Sequence, residues 1–255
     1  MVFHKLFSKK RAMPAPCLAE GRRLYAIGDI HGRLDLLEAL LEKILADAAN
    51  AADGDKALVL LGDYVDRGPD SRGVIERLCH FAEPGFEVIA LLGNHEDVMV
   101  QFLSDPAVGP RWCANGGDAT LASYGVSVPA EADAPDDVWP AVSAAFNDAL
   151  PAAHRAFLRR LAPWYAEGGY LFVHAGLRPG VAVEKQDVED LIWIRQAFTS
   201  SMRDHGALVV HGHSITPAPD FQPNRIGIDT GAYASGVLSC LALDGTRRRI
   251  LDTGE

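Results

Sequence analysis

Three short apolar runs in the first half of the chain each end in glycine and a polar residue, and this repetition is the strongest guide to the fold. LYAI runs into GDIHG, ALVLL into GDYVDRG and EVIALL into GNHE. Asp29 and Asp63 lie 34 positions apart, and Asp63 and Asn94 lie 31 apart, close to the length of a strand–helix–strand unit. Between the first two runs, LDLLEALLEKILADA has the apolar spacing of an amphipathic helix. The pattern predicts an α/β chain.

The second half of the chain changes pattern, because short strands follow one another with little helix between the last of them. The candidate strands are GGYLFVHAG, ALVVHGH, RIGIDTG, GVLSCLALD and RRRILDT. We expect the sheet to finish in antiparallel pairs, so the residues alone favour one mixed sheet. Residues 97–165 lack strand signals and contain seven prolines around two plausible helices, DDVWPAVSAAFNDAL and AAHRAFLRRLAPW. Most of this stretch, 105–165, is predicted to be a helical insertion beside the sheet.

Residues 1–22 carry five basic residues and no acidic residue before Glu20. They are predicted to form a flexible basic tail before a single domain over residues 23–255; a basic patch that touches a membrane or a partner is the alternative. The formal net charge of the whole chain is −10, which opposes broad binding to nucleic acid or anionic lipid. No apolar run reaches the roughly 20 residues of a membrane span and no secretory signal is visible, so we expect a cytoplasmic protein.

Residues that commonly bind metals follow the predicted strands. Because loops at the carboxyl ends of neighbouring strands converge, we expect these side chains to share one crevice. Imidazoles, carboxylates and one carboxamide, without a thiolate, suit Mn²⁺, Fe or Zn²⁺ in a catalytic site better than a closed structural zinc site. The candidates are Asp29, His31, Asp63, Asp66, Asn94, His95, His174, His211 and His213.

A single tetrahedral ion has too few positions for six of these candidates: Asp29, His31, Asp63, Asn94, His174 and His213. Two ions about 3.5 to 4 Å apart that share one carboxylate would use them all, and such a pair activates water and holds a phosphoryl group. Arg67 offers a guanidinium fork that matches phosphate oxygens, and Arg195 is a second candidate for this role. His95 can protonate a leaving alkoxide while Asp66 holds its imidazole. These residues predict hydrolysis of a phosphate ester.

The motifs GDIHG, GDYVDRG, GNHE, HAG and HGH, in this order and spacing, resemble the signature of the phosphoprotein phosphatase family of calcineurin-like metallophosphoesterases. The resemblance covers residues 24–253, and GDYVDRG is its most specific motif. The short end of the chain after IDTGAYASG is similar to the bacterial and phage members. The resemblance implies a two-sheet β-sandwich flanked by helices, which replaces the single mixed sheet. It also implies direct attack by a hydroxide that the metals hold, without a phosphoenzyme.

Carried over residue by residue, the resemblance implies a dinuclear metal site. Asp29 and His31 would bind the first metal, and Asp63 would bridge both. The residues implied for the second metal are Asn94, His174 and His213. His95 would be the general acid, paired with Asp66. The residues implied to bind the substrate phosphate are Arg67, Arg195, Asn94 and His95. Mn²⁺ is the preferred ion, with Fe or Zn²⁺ as alternatives.

The leading hypothesis is a metal-dependent phosphatase that acts on phosphoserine or phosphothreonine in proteins or peptides, with phosphotyrosine and small phosphate esters as further substrates. The first alternative is a hydrolase of diadenosine tetraphosphate or another nucleotide pyrophosphate, since W-I-R at 193–195 and D-T-G at 229–231 resemble elements of the bacterial diadenosine tetraphosphate hydrolases. The second is an inactive scaffold that binds phosphorylated partners. Trp112 with Gly116 and Gly117 is a candidate for the cleft mouth. His211 is left without a role, and neither a nucleic-acid partner nor an oligomeric state is predicted.

Overall fold

A computed structural model describes residues 15–50, 54–128 and 138–254, and the strands in these ranges form two five-stranded sheets. The strands of the first sheet are β1 (Arg23–Ile27), β2 (Lys56–Leu60), β3 (Phe86–Ala90), β9 (Ser239–Asp244) and β10 (Arg247–Asp252). Their order is β10-β9-β1-β2-β3. The strands β1, β2 and β3 run parallel, whereas β9 pairs antiparallel with both β1 and β10.

The second sheet is also mixed. Its strands are β4 (Trp164–Glu167), β5 (Tyr170–Val173), β6 (Leu208–His211), β7 (Asp220–Phe221) and β8 (Arg225–Gly227). Their order is β4-β5-β6-β8-β7, with β5, β6 and β8 parallel and the two edge strands antiparallel to their neighbours. Both sheets therefore have a parallel centre whose strands end at one edge.

The two sheets pack face to face around a shared apolar layer. Alternate side chains of β1, such as Leu24 and Ala26, meet Phe172 and Val210 of the second sheet there. The intervening side chains, Tyr25 and Ile27, belong to a second cluster on the outer face of the first sheet. This alternation follows from the period of two along a strand, and it buries both faces of β1.

Helices cover the outer faces of both sheets. Those that pack on the first sheet are α1 (Leu34–Ala49), α2 (Ser71–Cys79), α3 (Asn94–Phe102), α4 (Gly109–Cys113), α5 (Gly117–Ser123), α6 (Trp139–Ala149) and α7 (Ala152–Leu158). On the second sheet lie α8 (Val188–Trp193) and α9 (Gln196–Thr199). One further short helix, α10 (Ala232–Ser235), follows β8. The predicted amphipathic helix is confirmed as α1, and its buried residues are Leu37, Leu40, Leu41, Ile44 and Ala48.

The single mixed sheet that the residues favoured is wrong, and the two-sheet sandwich implied by the family resemblance is confirmed. The expected antiparallel ending holds for β9 and β10, but β8 belongs to the other sheet, where it runs parallel to β6. The central strands of both sheets are apolar on both faces. Their residue pattern therefore does not show which strands share a sheet.

Two of the predicted segments, the insertion and the N-terminal tail, can be compared with the structure. Within the predicted insertion, 105–165, the structure has α4 to α7, but β4 begins at Trp164 and residues 129–137 lie outside the described ranges. Residues 1–14 of the predicted tail also lie outside them. Leu18 is buried between the sheets, and Arg22 pairs with Glu87 and Glu167 at 2.8 Å, so a flexible tail does not extend as far as residue 22.

None of the helices in the described ranges has both the length and the apolar character needed to cross a membrane.

Candidate active site

The predicted site residues follow strands that end at the same edge of the sandwich. Asp29 and His31 come after β1, Asp63 comes after β2, and α3 begins at Asn94 directly after β3. The second sheet adds His174 after β5, and His211 and His213 at the end of β6. All six predicted metal ligands are buried, as are Asp66 and His95.

Two glycines allow the loops after β2 and β3 to approach closely. A Cβ atom on Gly93 would lie 2.3 Å from the backbone nitrogen of Asp63, and one on Gly62 would lie 2.7 Å from the nitrogen of Gly93. Neither distance is compatible with a side chain. The two motifs GDYVDRG and GNHE can therefore meet only because both begin with glycine.

Five non-glycine residues of the site have a left-handed backbone. Their φ angles lie between 46° and 74°, and they are His31, Asp63, Asp66, Arg67 and His213. Such conformations are uncommon outside glycine and cost on the order of 1 kcal/mol or more each. Each of them is a predicted ligand or a predicted phosphate-binding or proton-transfer residue, so the strain is concentrated where the chemistry is expected.

Asp63 lies at the centre of two groups of side chains that could each hold a metal ion. One group contains His31, Asp63 and His95, and the other contains Asp63, His174 and His213; within each, the ligand atoms lie within 4.8 Å of one another. The carboxylate of Asp63 lies 3.6 Å from His31 Nε2 and 3.4 Å from His174 Nε2. This is the arrangement expected of a carboxylate shared by two ions.

The ring of His174, in the second group, carries too few protons for the hydrogen-bond acceptors around it. His174 Nε2 lies 2.9 Å from Asn94 Oδ1 and 3.2 Å from His213 Nδ1, while His174 Nδ1 lies 2.9 Å from the carbonyl of Leu61. A neutral imidazole has one N–H, so whichever nitrogen of His174 carries it, the other faces an oxygen acceptor. A divalent cation next to Nε2 resolves this conflict, and the residues present therefore fit such an ion.

Burial favours the neutral form of three of these imidazoles, the form in which a histidine binds a metal. It lowers the pKa of His31 to about 3 and that of His213 to about 2, and it also lowers the pKa of His174. His31 Nδ1 lies 2.9 Å from the carbonyl of Val65, to which it donates when Nε2 carries the lone pair. That tautomer leaves the lone pair on Nε2, which lies 2.7 Å from the guanidinium of Arg67 and 3.6 Å from the carboxylate of Asp63.

Asp29 lies outside both groups, although it was predicted to join His31 at the first metal. Its carboxylate accepts the backbone N–H of His213 at 3.0 and 3.2 Å. Burial, followed by the negative charges of Asp229 and Asp63, raises its pKa well above the usual range. A cation among these three carboxylates would offset their repulsion, which supports Asp29 as part of the site through charge.

His95 and Asp66 form the hydrogen bond predicted for a general acid and its partner. His95 Nδ1 donates to Asp66 Oδ2 at 2.6 Å, and Trp112 Nε1 and Thr120 Oγ1 donate to the same carboxylate at 2.9 and 2.7 Å. Burial acts to lower the pKa of His95, but Asp63 and the bond to Asp66 outweigh it, so the net pKa is raised. A raised pKa favours the protonated imidazole, which is the form that can donate a proton.

The two predicted phosphate-binding arginines line one small cleft beside His95. Arg67 lies 2.7 Å from His31 Nε2 and 3.1 Å from His95 Nε2, and its guanidinium stacks on Tyr233. Arg195 donates to the backbone carbonyl of His213 at 2.9 Å. The cleft has a volume of about 60 Å³, and its lining residues include Arg67, Asn94, His95, Trp112 and Arg195.

Several residues of the site were not predicted. Glu96 is fully buried, and its carboxylate accepts the backbone N–H groups of Asp63, Tyr64 and Val65 at 2.7 to 3.2 Å, which holds the GDYVDRG loop in place. The sequence feature that could have identified Glu96 is its position as the last residue of the motif GNHE. The sequence gives weaker indications for three further residues, Asp229, Thr120 and Tyr233. Of these, only Asp229 lies in a motif named above, D-T-G at 229–231. His211 stays outside both groups, with its ring against Phe198.

This fold and this site define a metallophosphoesterase. A profile of the calcineurin-like phosphoesterases matches residues 22–236, and the chain belongs to that family. The family predicted from the five motifs is thus confirmed, and membership implies divalent metal ions.

Relatives with two kinds of name share this family. The chain is 27% identical over 227 residues to serine/threonine-protein phosphatase 2 of Salmonella typhimurium, covering 86% of this chain and 91% of that protein. It is 26% identical over 238 residues to the asymmetrical bis(5'-nucleosyl)-tetraphosphatase PrpE of Geobacillus thermodenitrificans, covering 84% and 88% respectively. A match of 32% identity to serine/threonine-protein phosphatase 2 of Escherichia coli spans 97 residues, 38% of this chain and 39% of that protein.

Solved structures share the fold at lower identity. A cold-active protein-tyrosine phosphatase of a psychrophilic Shewanella superposes with a TM-score of 0.60 at 17% identity, over 93% of this chain and 80% of that structure.

Proposed function

We propose that this protein is a dinuclear metal-dependent phosphatase that hydrolyses phosphoserine and phosphothreonine esters of proteins or peptides. The observation that carries the proposal is the His95–Asp66 hydrogen bond beside Asp63, because a serine or threonine alkoxide is a poor leaving group that needs a proton. The phosphate of a nucleotide pyrophosphate leaves more easily and depends less on such a donor. Phosphotyrosine and small aryl phosphates are further substrates of the proposed enzyme.

The roles of the side chains follow from their contacts. Arg67 and Arg195, with Asn94, bind the phosphate oxygens in the cleft. His95 Nε2 donates its proton to the leaving oxygen, and Asp66 holds the other ring nitrogen so that the proton is directed into the cleft.

The residues that would hold the two ions are Asp29, His31, Asp63, Asn94, His174 and His213. Divalent ions bound there activate water as a nucleophile and neutralise charge on the phosphoryl group. Their nitrogen and oxygen donors suit Mn²⁺ best in our proposal, with Fe or Zn²⁺ as alternatives. Elemental analysis of protein purified without added metal identifies the ions.

The test compares two leaving groups in one variant. With Mn²⁺ present, we expect wild-type protein to release phosphate from a phosphoserine peptide and from p-nitrophenyl phosphate. His95→Asn should lower kcat for the peptide by about 10²- to 10⁴-fold and for the aryl ester by much less, since nitrophenolate leaves without a proton. An equal loss on both substrates contradicts the role of His95. Absence of phosphate release from every ester contradicts the proposed function and leaves the nucleotide pyrophosphate hydrolase and the inactive scaffold.

The match to PrpE, which covers 84% of this chain and 88% of that protein, supports a second candidate, hydrolysis of a dinucleotide polyphosphate. Chromatography of the products formed from diadenosine tetraphosphate and from phosphopeptides, compared as kcat/KM, separates the two. The proposal places the enzyme in the cytoplasm, which is supported by its four free cysteines, since a reducing compartment keeps thiols unpaired.

A further inference from the structure

The cleft beside His95 contains one more arginine than the proposed function uses. Arg111 lines it together with Arg67 and Arg195. None of these three arginines forms an ion pair with a carboxylate in the described part of the chain. A single transferring phosphate is held by Arg67 and Arg195 in the proposed function. The third guanidinium is therefore positive charge that a monophosphate leaves without a counterion.

Arg111 is held against the wall of the cleft by an aromatic ring. Its guanidinium lies 5.8 Å from the ring centroid of Trp193, and that ring stands edge-on to the imidazole of His213 at 6.2 Å. Stacking leaves the N–H groups of the guanidinium free for a ligand, because the ring contacts only its face. The side chain is exposed, and its positive charge opposes the rise that burial causes in the pKa of Asp97.

We infer that Arg111 binds a second phosphate group of the substrate, next to the phosphate that is hydrolysed. The inference rests on the proposed function, because it takes Arg67 and Arg195 as the clamp for the first phosphate. Two neighbouring phosphates carry more negative charge than two guanidinium groups neutralise, and a third, already oriented by Trp193, binds with little further ordering. The second phosphate belongs either to an anhydride chain or to a neighbouring phosphorylated group.

Non-hydrolysable phosphonates test this subsite without turnover. Calorimetric titration of the Mn²⁺-loaded protein compares methylphosphonate, with one anionic group, and methylenediphosphonate, with two, at the same free Mn²⁺ concentration. We expect wild-type protein to bind the diphosphonate more tightly. Arg111→Ala should reduce that preference about tenfold, the size expected for one charge-assisted contact. A third probe, propylenediphosphonate, has its two groups further apart and so distinguishes the two sources of the second phosphate. Tighter binding of methylenediphosphonate indicates an anhydride chain. Tighter binding of propylenediphosphonate indicates two separate phosphorylated groups.

Arg72→Ala is the matched control, because Arg72 is also an exposed arginine over an aromatic ring, that of Tyr124 at 5.9 Å, and lies outside the cleft. It should leave the preference unchanged. Equal binding of all probes by wild-type protein, or the same preference in Arg111→Ala as in wild type, overturns the inference. The rate on p-nitrophenyl phosphate, measured on the same preparation, reports separately on the proposed function, since that ester has no second phosphate.

Discussion

The two halves of the site on either side of Asp63 differ in how their polar atoms are satisfied. In the half that we call the proton-donor half, three side chains donate to the carboxylate of Asp66: His95, Trp112 and Thr120. The backbone N–H of Asp66 is satisfied as well, by Thr120 and by Ser71. This half is held in its working geometry by the chain alone.

The other half, which we call the cation half, consists of Asn94, His174 and His213. Its acceptors face one another at 2.9 and 3.2 Å, and His213 Nε2 has no hydrogen-bond partner among the described residues. Buried polar atoms normally have partners, so this half is complete only with a cation. The chain alone thus satisfies the polar atoms around Asp66, whereas in its described part it leaves His213 Nε2 of the cation half without a partner.

The largest effect is expected where the two halves meet. Asp63→Asn replaces a charged carboxylate with a neutral amide, which weakens ion binding on both sides. We expect kcat/KM for p-nitrophenyl phosphate to fall by at least about 10³-fold, with a matching loss of metal in elemental analysis. Asp55→Asn, at an exposed carboxylate, is the control. Wild-type metal content in Asp63→Asn would contradict the shared role of Asp63.

A pair of histidine variants tests the two halves of the site separately. His174→Asn in the cation half and His95→Asn in the proton-donor half should each lower kcat/KM for a phosphoserine peptide by at least about 10²-fold. Raising the Mn²⁺ concentration should restore the first and leave the second unchanged, because only the first loses a metal ligand. If added Mn²⁺ restored the activity of both variants, His95 would be a metal ligand. Its membership of the group with His31 and Asp63 is compatible with that role.

Glu96 supports the loop that both halves share, so its loss should lower the stability of the whole domain. Glu96→Gln places an amide N–H against one of three backbone donors, and we expect the free energy of unfolding to fall by about 1 to 3 kcal/mol in urea titrations. Glu42→Gln, on the exposed face of α1, should change it little. An unchanged unfolding midpoint in Glu96→Gln would show that its hydrogen bonds do not hold the loop.

The smallest effect is expected from one donor within the proton-donor half. Trp112→Phe keeps an aromatic ring, although a smaller one, and removes the N–H that reaches Asp66, so kcat should fall about three- to tenfold while KM stays the same. Trp164→Phe, on β4 and away from Asp66, is the control. A rise in KM instead would assign Trp112 to substrate binding at the cleft mouth.

The comparison also shows what the sequence could predict. Asp63 and His174 were predicted to be site residues because each follows an apolar strand, and parallel strands bring their carboxyl ends to one edge of a sheet. The His95–Asp66 pair was predicted because His95 adjoins the candidate ligand Asn94 and the family resemblance pairs it with Asp66. Both predictions depend only on the order of strands and motifs along the sequence.

Other features depend on contacts that no local pattern records. Thr120 reaches Asp66 from 54 residues away, across a region with no periodic relation to the motif. The assignment of β8 to the second sheet was missed because strands buried on both faces look alike in sequence. Asp29 was placed at a metal by its motif, whereas its contacts with His213 and Asp229 arise only from how the two sheets pack.

The left-handed backbone of five site residues has a consequence for how these loops respond to substitution. Glycine at such a position would relieve strain on the order of 1 kcal/mol, but it would also increase the conformational freedom of the unfolded chain. At Asp66 it would in addition remove the acceptor of three side-chain hydrogen bonds. The contacts of the side chain therefore hold the backbone in a conformation that the residue by itself disfavours.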